Sequence, residues 1–234
     1  MKKFYKTVAV EPRQEGFAVL LDGKPIPTPA GRLLLAPTDA LAGRIADEWR
    51  AQGDHVRPGT MPITQLLNTA LDRLGEGKAR ADAVAEIAAY AATDLVCFRA
   101  ARPPALAESQ GAAWQPLLDW LAERHGATLA TTEDLAAPAQ PPEALARIAA
   151  AVAAQDALRL AALQLATGAL GSIVIALALA EGRIDAAAAF RAAHLDDLHQ
   201  MEQWGEDEEA LARLERIRAD IAAAEEFLRL AQGA

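Results

Sequence analysis

The chain has 234 residues, of which 52% are apolar and 24% charged, so it is long enough for one large domain or two small ones and too apolar for wholesale disorder. A formal net charge of −9 argues against a broad nucleic-acid-binding surface and suits a protein partner with basic patches. A single cysteine, Cys97, excludes an internal disulfide framework and any zinc site built on two or four cysteines. Aromatic residues make up only 5%, and alanine is abundant, which favours closely packed helices over a β-sandwich.

The opening Met1-Lys2-Lys3-Phe4-Tyr5-Lys6 is basic, but no apolar run follows it, and an Arg- and Ser-rich amphipathic leader is missing. A secretory signal is therefore not expected, and the lone cysteine fits a reducing compartment. Lys6 to Val10 alternates in a β-prone pattern, Phe17 to Leu21 is apolar, and Asp22-Gly23 is a hairpin turn signal. Pro25, Pro27 and Pro29 forbid a helix and favour an extended edge, and Leu33 to Leu35 is one more short strand. This small antiparallel unit carries too few apolar residues to stand alone.

From Pro37 the period becomes helical. Thr38 caps a helix with Leu41, Ile45 and Trp49 on one face, and Gly53 lies just beyond its end. Pro62 opens a second, in which Ile63, Leu66, Leu67, Ala70, Leu71 and Leu74 keep the spacing of a buried face up to Gly75. A third runs from Lys78 to about Ala92, and a fourth follows Pro103-Pro104 and carries Trp114, Leu117, Leu118 and Leu121. Residues 126–142 form a loop, with a strand expected at Thr128 to Thr131. Leu160 to Ala180 has no charge over twenty-one residues, yet its Gln, Thr, Gly and Ser content makes it a buried core helix, broken near Gly168, rather than a membrane span. A last helix from about Glu206 places Leu214, Ile217, Ile221, Ala224 and Leu228 at alternating spacings of three and four. There is no internal repeat. The expectation is an α+β fold, with an N-terminal β-rich unit at residues 1–36 and a mainly helical domain at 37–234.

Chemistry is sparse. Cys97 lies between Val96 and Phe98, the setting of an inert buried thiol, and the four histidines are scattered. No Gly-x-Ser-x-Gly elbow occurs, and Thr167 to Ser172 lacks the Gly-Lys-Ser/Thr ending of a phosphate loop, so no cofactor is expected. His194 and His199 lie about 140° apart around a helix and cannot share a face, whereas His199 and Glu202 can, as a metal pair or as a solvated face. The charge pattern is more informative. From His194 to Glu209 there are seven acids and no Lys or Arg, with Trp204 in their midst. Acids at the start of a helix account for one or two of these; an aromatic set among carboxylates also suits a partner surface rich in Arg or Lys.

Several blocks resemble the Atp12 family of F1-ATPase assembly chaperones. They are Phe4-Tyr5-Lys6, Gly16 to Pro25, Thr28-Pro29, Leu41-Ala42 with Glu48-Trp49, Met61-Pro62-Ile63-Thr64, Asn68 to Asp72, Thr93 to Ala100 and Trp114 to Trp120. Thr167-Gly168, then Gln200 with Trp204-Gly205-Glu206-Asp207-Glu208, complete the set in the family's order. The resemblance implies a non-catalytic α+β protein that binds the unassembled F1 α subunit, shields its subunit interface until the β subunit joins, and passes it to the α₃β₃ ring. Because the family occurs in mitochondria and some bacteria, it further implies a bacterial cytoplasmic protein, or one of the mitochondrial matrix if a transit peptide has been removed. A working chaperone is expected to be a monomer, since a permanent self-interface would occupy the surface it needs, and the acidic charge and polar content of the uncharged stretch argue against nucleic acid and membrane insertion. The partner-binding residues expected on this basis are Asp196, Asp197, Gln200, Glu202, Trp204, Glu206 and Glu208, while Trp49 and Trp114 belong to the core. Two other readings stay open from the residues alone: a small cytoplasmic hydrolase using Asp94, Arg99 and a histidine, and a helical adaptor with a different protein client.

Overall fold

The computed structural model describes residues 1–205 and 207–232. It has the expected α+β architecture, a small N-terminal antiparallel sheet followed by helices. Packing divides the chain into two compact units, one of Met1–Arg80, Asp156–Ala162 and the chain from Ala223, the other of Ala81–Gln155 and Leu163–Ala222.

In the first unit, β1 (Val8–Arg13) and β2 (Gly16–Leu21) form a hairpin in the register Val8↔Leu21 to Arg13↔Gly16. β3 (Lys24–Pro25) and β4 (Leu35–Ala36) both pair antiparallel with β2. The first strand begins two residues later than the alternation at Lys6 suggests, because Lys6 and Thr7 give their backbone N–H groups to the Asp22 carboxylate instead of to a ladder. Those bonds hold the Asp22 carboxyl below its usual range and fix the turn, where Asp22 (φ 49°) and Gly23 (φ 77°) both take the left-handed conformation an Asp-Gly hairpin requires. Ala18 to Leu21 are all buried, so β2 is covered on both faces.

α1 (Asp39–Arg50) packs on β1 and β2 through Leu41, Ile45 and Trp49, the face its spacing announces. Thr38 caps it as expected, accepting the Leu41 N–H at 3.1 Å and donating its own hydroxyl to the Leu230 carbonyl at 2.6 Å. α2 (Pro62–Arg73) has no side-chain cap of its own. Its first N–H groups are taken by Glu48 from α1, 3% exposed, whose carboxylate accepts from Ile63 N (2.9 Å), Thr64 N (2.8 Å) and Thr64 Oγ1 (2.6 Å). The change from strand to helix near residue 36 therefore falls inside one compact unit, with sheet, α1 and α2 sharing a core.

The second unit is built on α4 (Pro104–His125), with α5 (Pro142–Ala153), α7 (Ile173–Ala180), α8 (Ala186–Ala193) and α9 (Leu195–Trp204). Helices α3 (Lys78–Ala89), α6 (Ala157–Leu170) and α10 (Glu208–Ala231) contribute residues to both units. α3 stops at Ala89 rather than near Ala92 and tightens into a 3₁₀ turn over Tyr90–Thr93. The strand expected at Thr128 to Thr131 is absent; a lone parallel bridge joins Phe98 to Thr132. The uncharged stretch breaks at Gly171 (φ 63°) and Ser172, three residues beyond Gly168, and every residue of α7 is buried. Trp114 is 1% exposed and donates its indole N–H to the Ala192 carbonyl at 2.7 Å.

Candidate functional site

The acidic segment spans α9 and the first turn of α10. Asp185 caps α8 through Ala188 N at 2.7 Å, and His194 joins that helix to α9. Two of the expected contact acids fasten α9 to its surroundings. Asp196 Oδ1 accepts from Gln110 Nε2 at 2.8 Å; Gln110 is 2% exposed and also accepts the Ala100 N–H at 2.7 Å. Asp197 lies 3.0 Å from His194 Nδ1 and 3.3 Å from Arg213 Nη2 on α10. His194 is 8% exposed and stacks at 5.0 Å on Phe190, over whose ring the Arg218 guanidinium sits at 4.5 Å.

Two of the remaining members, Gln200 and Glu208, point outward. Gln200 and Gln203 are exposed on α9, and Glu208 and Glu209 are exposed in the first turn of α10, where Asp207 accepts the Ala210 N–H at 3.0 Å as cap. Carboxylates suit that position because unpaired N–H groups and the helix dipole present positive charge there. Glu206 and the side chains of Glu202 and Trp204 lie outside the described residues, and so does the question of a metal shared by His199 and Glu202. Among the described residues no three His, Cys, Asp or Glu side chains gather as a metal site.

An apolar groove of about 430 Å³ lies between α4, α8 and α9, walled by Ala113, Leu117, Ala188, Leu195 and Leu198, with Arg191 among its lining. It was not legible in the sequence. The Leu195–Leu198 spacing hints at it, but the facing wall comes from α4, about eighty residues earlier. Gln110 and Arg213, which hold α9 in place, read as ordinary surface polar residues in one dimension.

The residues of the hydrolase reading are engaged elsewhere. Asp94 is fully buried and serves the start of α7: its carboxylate accepts from Ser172 Oγ (2.6 Å), Val174 N (3.1 Å) and Val96 N (3.2 Å). Burial pushes its pKa up to about 6, against those hydrogen bonds, which favour the ionised form. Burial and the neighbouring Asp94 charge push the Cys97 thiol up to about 12, so it is no thiolate at neutral pH. Arg99 donates to the Gln110 carbonyl at 3.1 Å and lies 5.1 Å over the Trp114 ring. Ser172 is itself the cap of α7, accepting Ile175 N at 3.1 Å, which accounts for the Thr167–Ser172 segment as structure.

Comparison with known proteins decides the family. The model of the ATP12 chaperone protein family matches residues 2–122, more than half of the chain. The chain belongs to that family. Protein atp12, mitochondrial, of Schizosaccharomyces pombe is 24% identical over 219 residues, covering 89% of this chain and 75% of that protein. The crystal structure of Atp12 from Paracoccus denitrificans is 36% identical, with a TM-score of 0.89 over 98% of both chains. A protein of Agrobacterium tumefaciens is 41% identical, with a TM-score of 0.89 over 98% of this chain and 85% of that one. The ATP12 family match ends within α4, whereas the structural likeness to Atp12 extends over nearly the whole chain. Among the described residues no helix is long and apolar enough to cross a membrane.

Proposed function

We propose that this F1-ATPase assembly chaperone captures the unassembled α subunit and covers its subunit interface until the β subunit joins, using the α9–α10 junction as part of the capturing face. The observation that carries the reading is the run of seven acids from Asp196 to Glu209 with no Lys or Arg among them. Asp196 and Asp197 hold α9 to Gln110 and Arg213, which fixes the direction of the face; Gln200, Glu208 and Glu209 stand exposed on it. Glu202, Trp204 and Glu206 lie in the same stretch of the sequence. A surface presenting several exposed carboxylates attracts a basic one and speeds encounter with it. Holding and releasing a subunit requires no bond to be made or broken and no cofactor. In this reading the protein is a monomer in the bacterial cytoplasm, or in the matrix of a mitochondrion.

The test is capture of purified α subunit by the Glu208→Lys, Glu209→Lys double variant. At low salt capture falls about tenfold relative to the parent, and at high salt the two converge, because exposed charges are screened beyond about 10 Å. The variant stays folded but loses about 1–2 kcal/mol of stability, because two carboxylates at the start of α10 give way to cations there. Equal capture by variant and parent at low salt refutes the acidic face.

A further inference from the structure

The apolar groove between α4, α8 and α9 lies wholly within the second unit. Its volume of about 430 Å³ is in the range of sites that take a ligand. Leu117 and Ala192 are buried beneath it, and Ala113, Ala188, Leu195 and Leu198 are half-buried along its walls. The three alanines among them let another backbone come close. Among the described residues no acid lines the groove, and its one fixed charge is Arg191, exposed in the last turn of α8. Also among the described residues, Arg191 has no carboxylate partner, although the chain has a net charge of −9. His199 and the exposed Ser109 are the other lining side chains that can donate to an anion.

These features specify an occupant. The walls are helices, whose interior N–H and C=O groups bond within each helix, so the groove offers no strand edge for an extended chain to join. A polypeptide that buries its backbone here must satisfy its own hydrogen bonds, which a helix does. Aliphatic side chains three and four residues apart on such a helix meet the apolar floor, and a carboxylate at its edge meets Arg191. The neighbouring acids of α9 are engaged elsewhere: Asp196 is bonded to Gln110, and Asp197 to His194 and Arg213.

We infer that this groove binds an amphipathic helix of a client polypeptide, aliphatic on one face and acidic on the flank that meets Arg191. Leu195, Leu198 and His199 belong to α9, so the groove continues into the helix that the proposed capturing face uses. A client held by both offers cations to the exposed carboxylates and a carboxylate to the groove, and the opposed signs fix its register. That the helix belongs to a client rests on the chaperone reading; its apolar face and its acid rest on the groove.

The test uses a fluorescent, end-blocked peptide of about fifteen residues, with Leu at helical spacings of three and four and one Glu beside them. It is titrated by anisotropy against the full chain at about 0.15 M salt, where distant charges are screened. The parent binds it. The same peptide with Lys in place of Glu binds about tenfold more weakly, even though the protein's net negative charge favours the Lys peptide. Arg191→Glu, at an exposed position, reverses that preference. Ala113→Phe and Ala188→Phe each fill the groove and abolish binding, and a peptide with Pro at its centre does not bind. Excess Glu peptide releases captured α subunit from the parent. Thermal midpoints identify any variant that fails to fold, and either blocking variant suffices. Absence of binding by the parent, equal binding of the Lys or Pro peptide, or an unchanged preference in Arg191→Glu overturns the inference. So does undiminished binding by a folded blocking variant, or a bound peptide that leaves capture unchanged. A parent that binds the Glu peptide but captures no α subunit counts against the proposed function alone, and capture without peptide binding counts against the groove alone.

Discussion

The buried Asp94 carboxyl makes a signed prediction about stability. Its pKa rises from an ordinary 3.8 to about 6 in the folded protein because burial outweighs the hydrogen bonds from Ser172 and Val174. The native state therefore binds a proton that the unfolded chain does not, over the interval between those values, and stability rises as pH falls through it. At 1.36 kcal/mol per pKa unit the full gain is about 3 kcal/mol, reached well below pH 3.8, and about 1 kcal/mol of it is present by pH 5. Other carboxylates titrate in the same range, so the measurement is a difference: urea unfolding of the parent and of Asp94→Asn at pH 7 and pH 5. The parent gains about 1 kcal/mol relative to the variant on going to pH 5. Parallel pH profiles, or a parent that loses ground to the variant on acidification, refute the reasoning. The second of these results would mean that the Ser172 hydroxyl and the α7 amides hold the carboxylate ionised more strongly than burial neutralises it.

Replacing Trp114 with Ala removes a side chain that is 1% exposed and costs about 3–5 kcal/mol in chemical denaturation, whereas Trp114→Phe costs about 1–3 kcal/mol, mainly by orphaning the Ala192 carbonyl. Glu48→Ala leaves Ile63 N, Thr64 N and the Thr64 hydroxyl without their acceptor, costs about 3 kcal/mol, and raises hydrogen exchange first in the opening turn of α2. Gly16→Ala places a Cβ against the Ala36 carbonyl at a backbone φ of 146°, and costs about 2 kcal/mol with loss of β2–β4 protection in exchange.

What could be read from the sequence was local. Thr38 and Pro62 start their helices where they stand because a cap needs only the next three residues and a proline needs only its own ring. Asp22-Gly23 turns because both residues tolerate positive φ. Trp49 and Trp114 are core because their neighbours one turn away are apolar. What escaped was polar and distant. The break in the uncharged stretch comes at Ser172 and not at Gly168 because Asp94, 78 residues earlier, accepts hydrogen bonds from its hydroxyl and from the N–H of Val174. Glu48 and Gln110 look like solvent-facing residues until α2 and α9 arrive beside them. The candidate face shows the same division: the acid run is plain in one dimension, but the use of Asp196 and Asp197 as fasteners depends on Gln110 and Arg213.

The hydroxyl of Thr38 ends on the carbonyl of Leu230, and Arg44 pairs with Glu226 at 3.0 Å. Translation makes the sheet, α1 and α2 first, yet the partners of Thr38 and Arg44 follow 192 and 182 residues later. The α1 surface must wait, incompletely packed, for these later residues, and a nascent chain stalled before Ala223 exposes what the closing turns of α10 would cover.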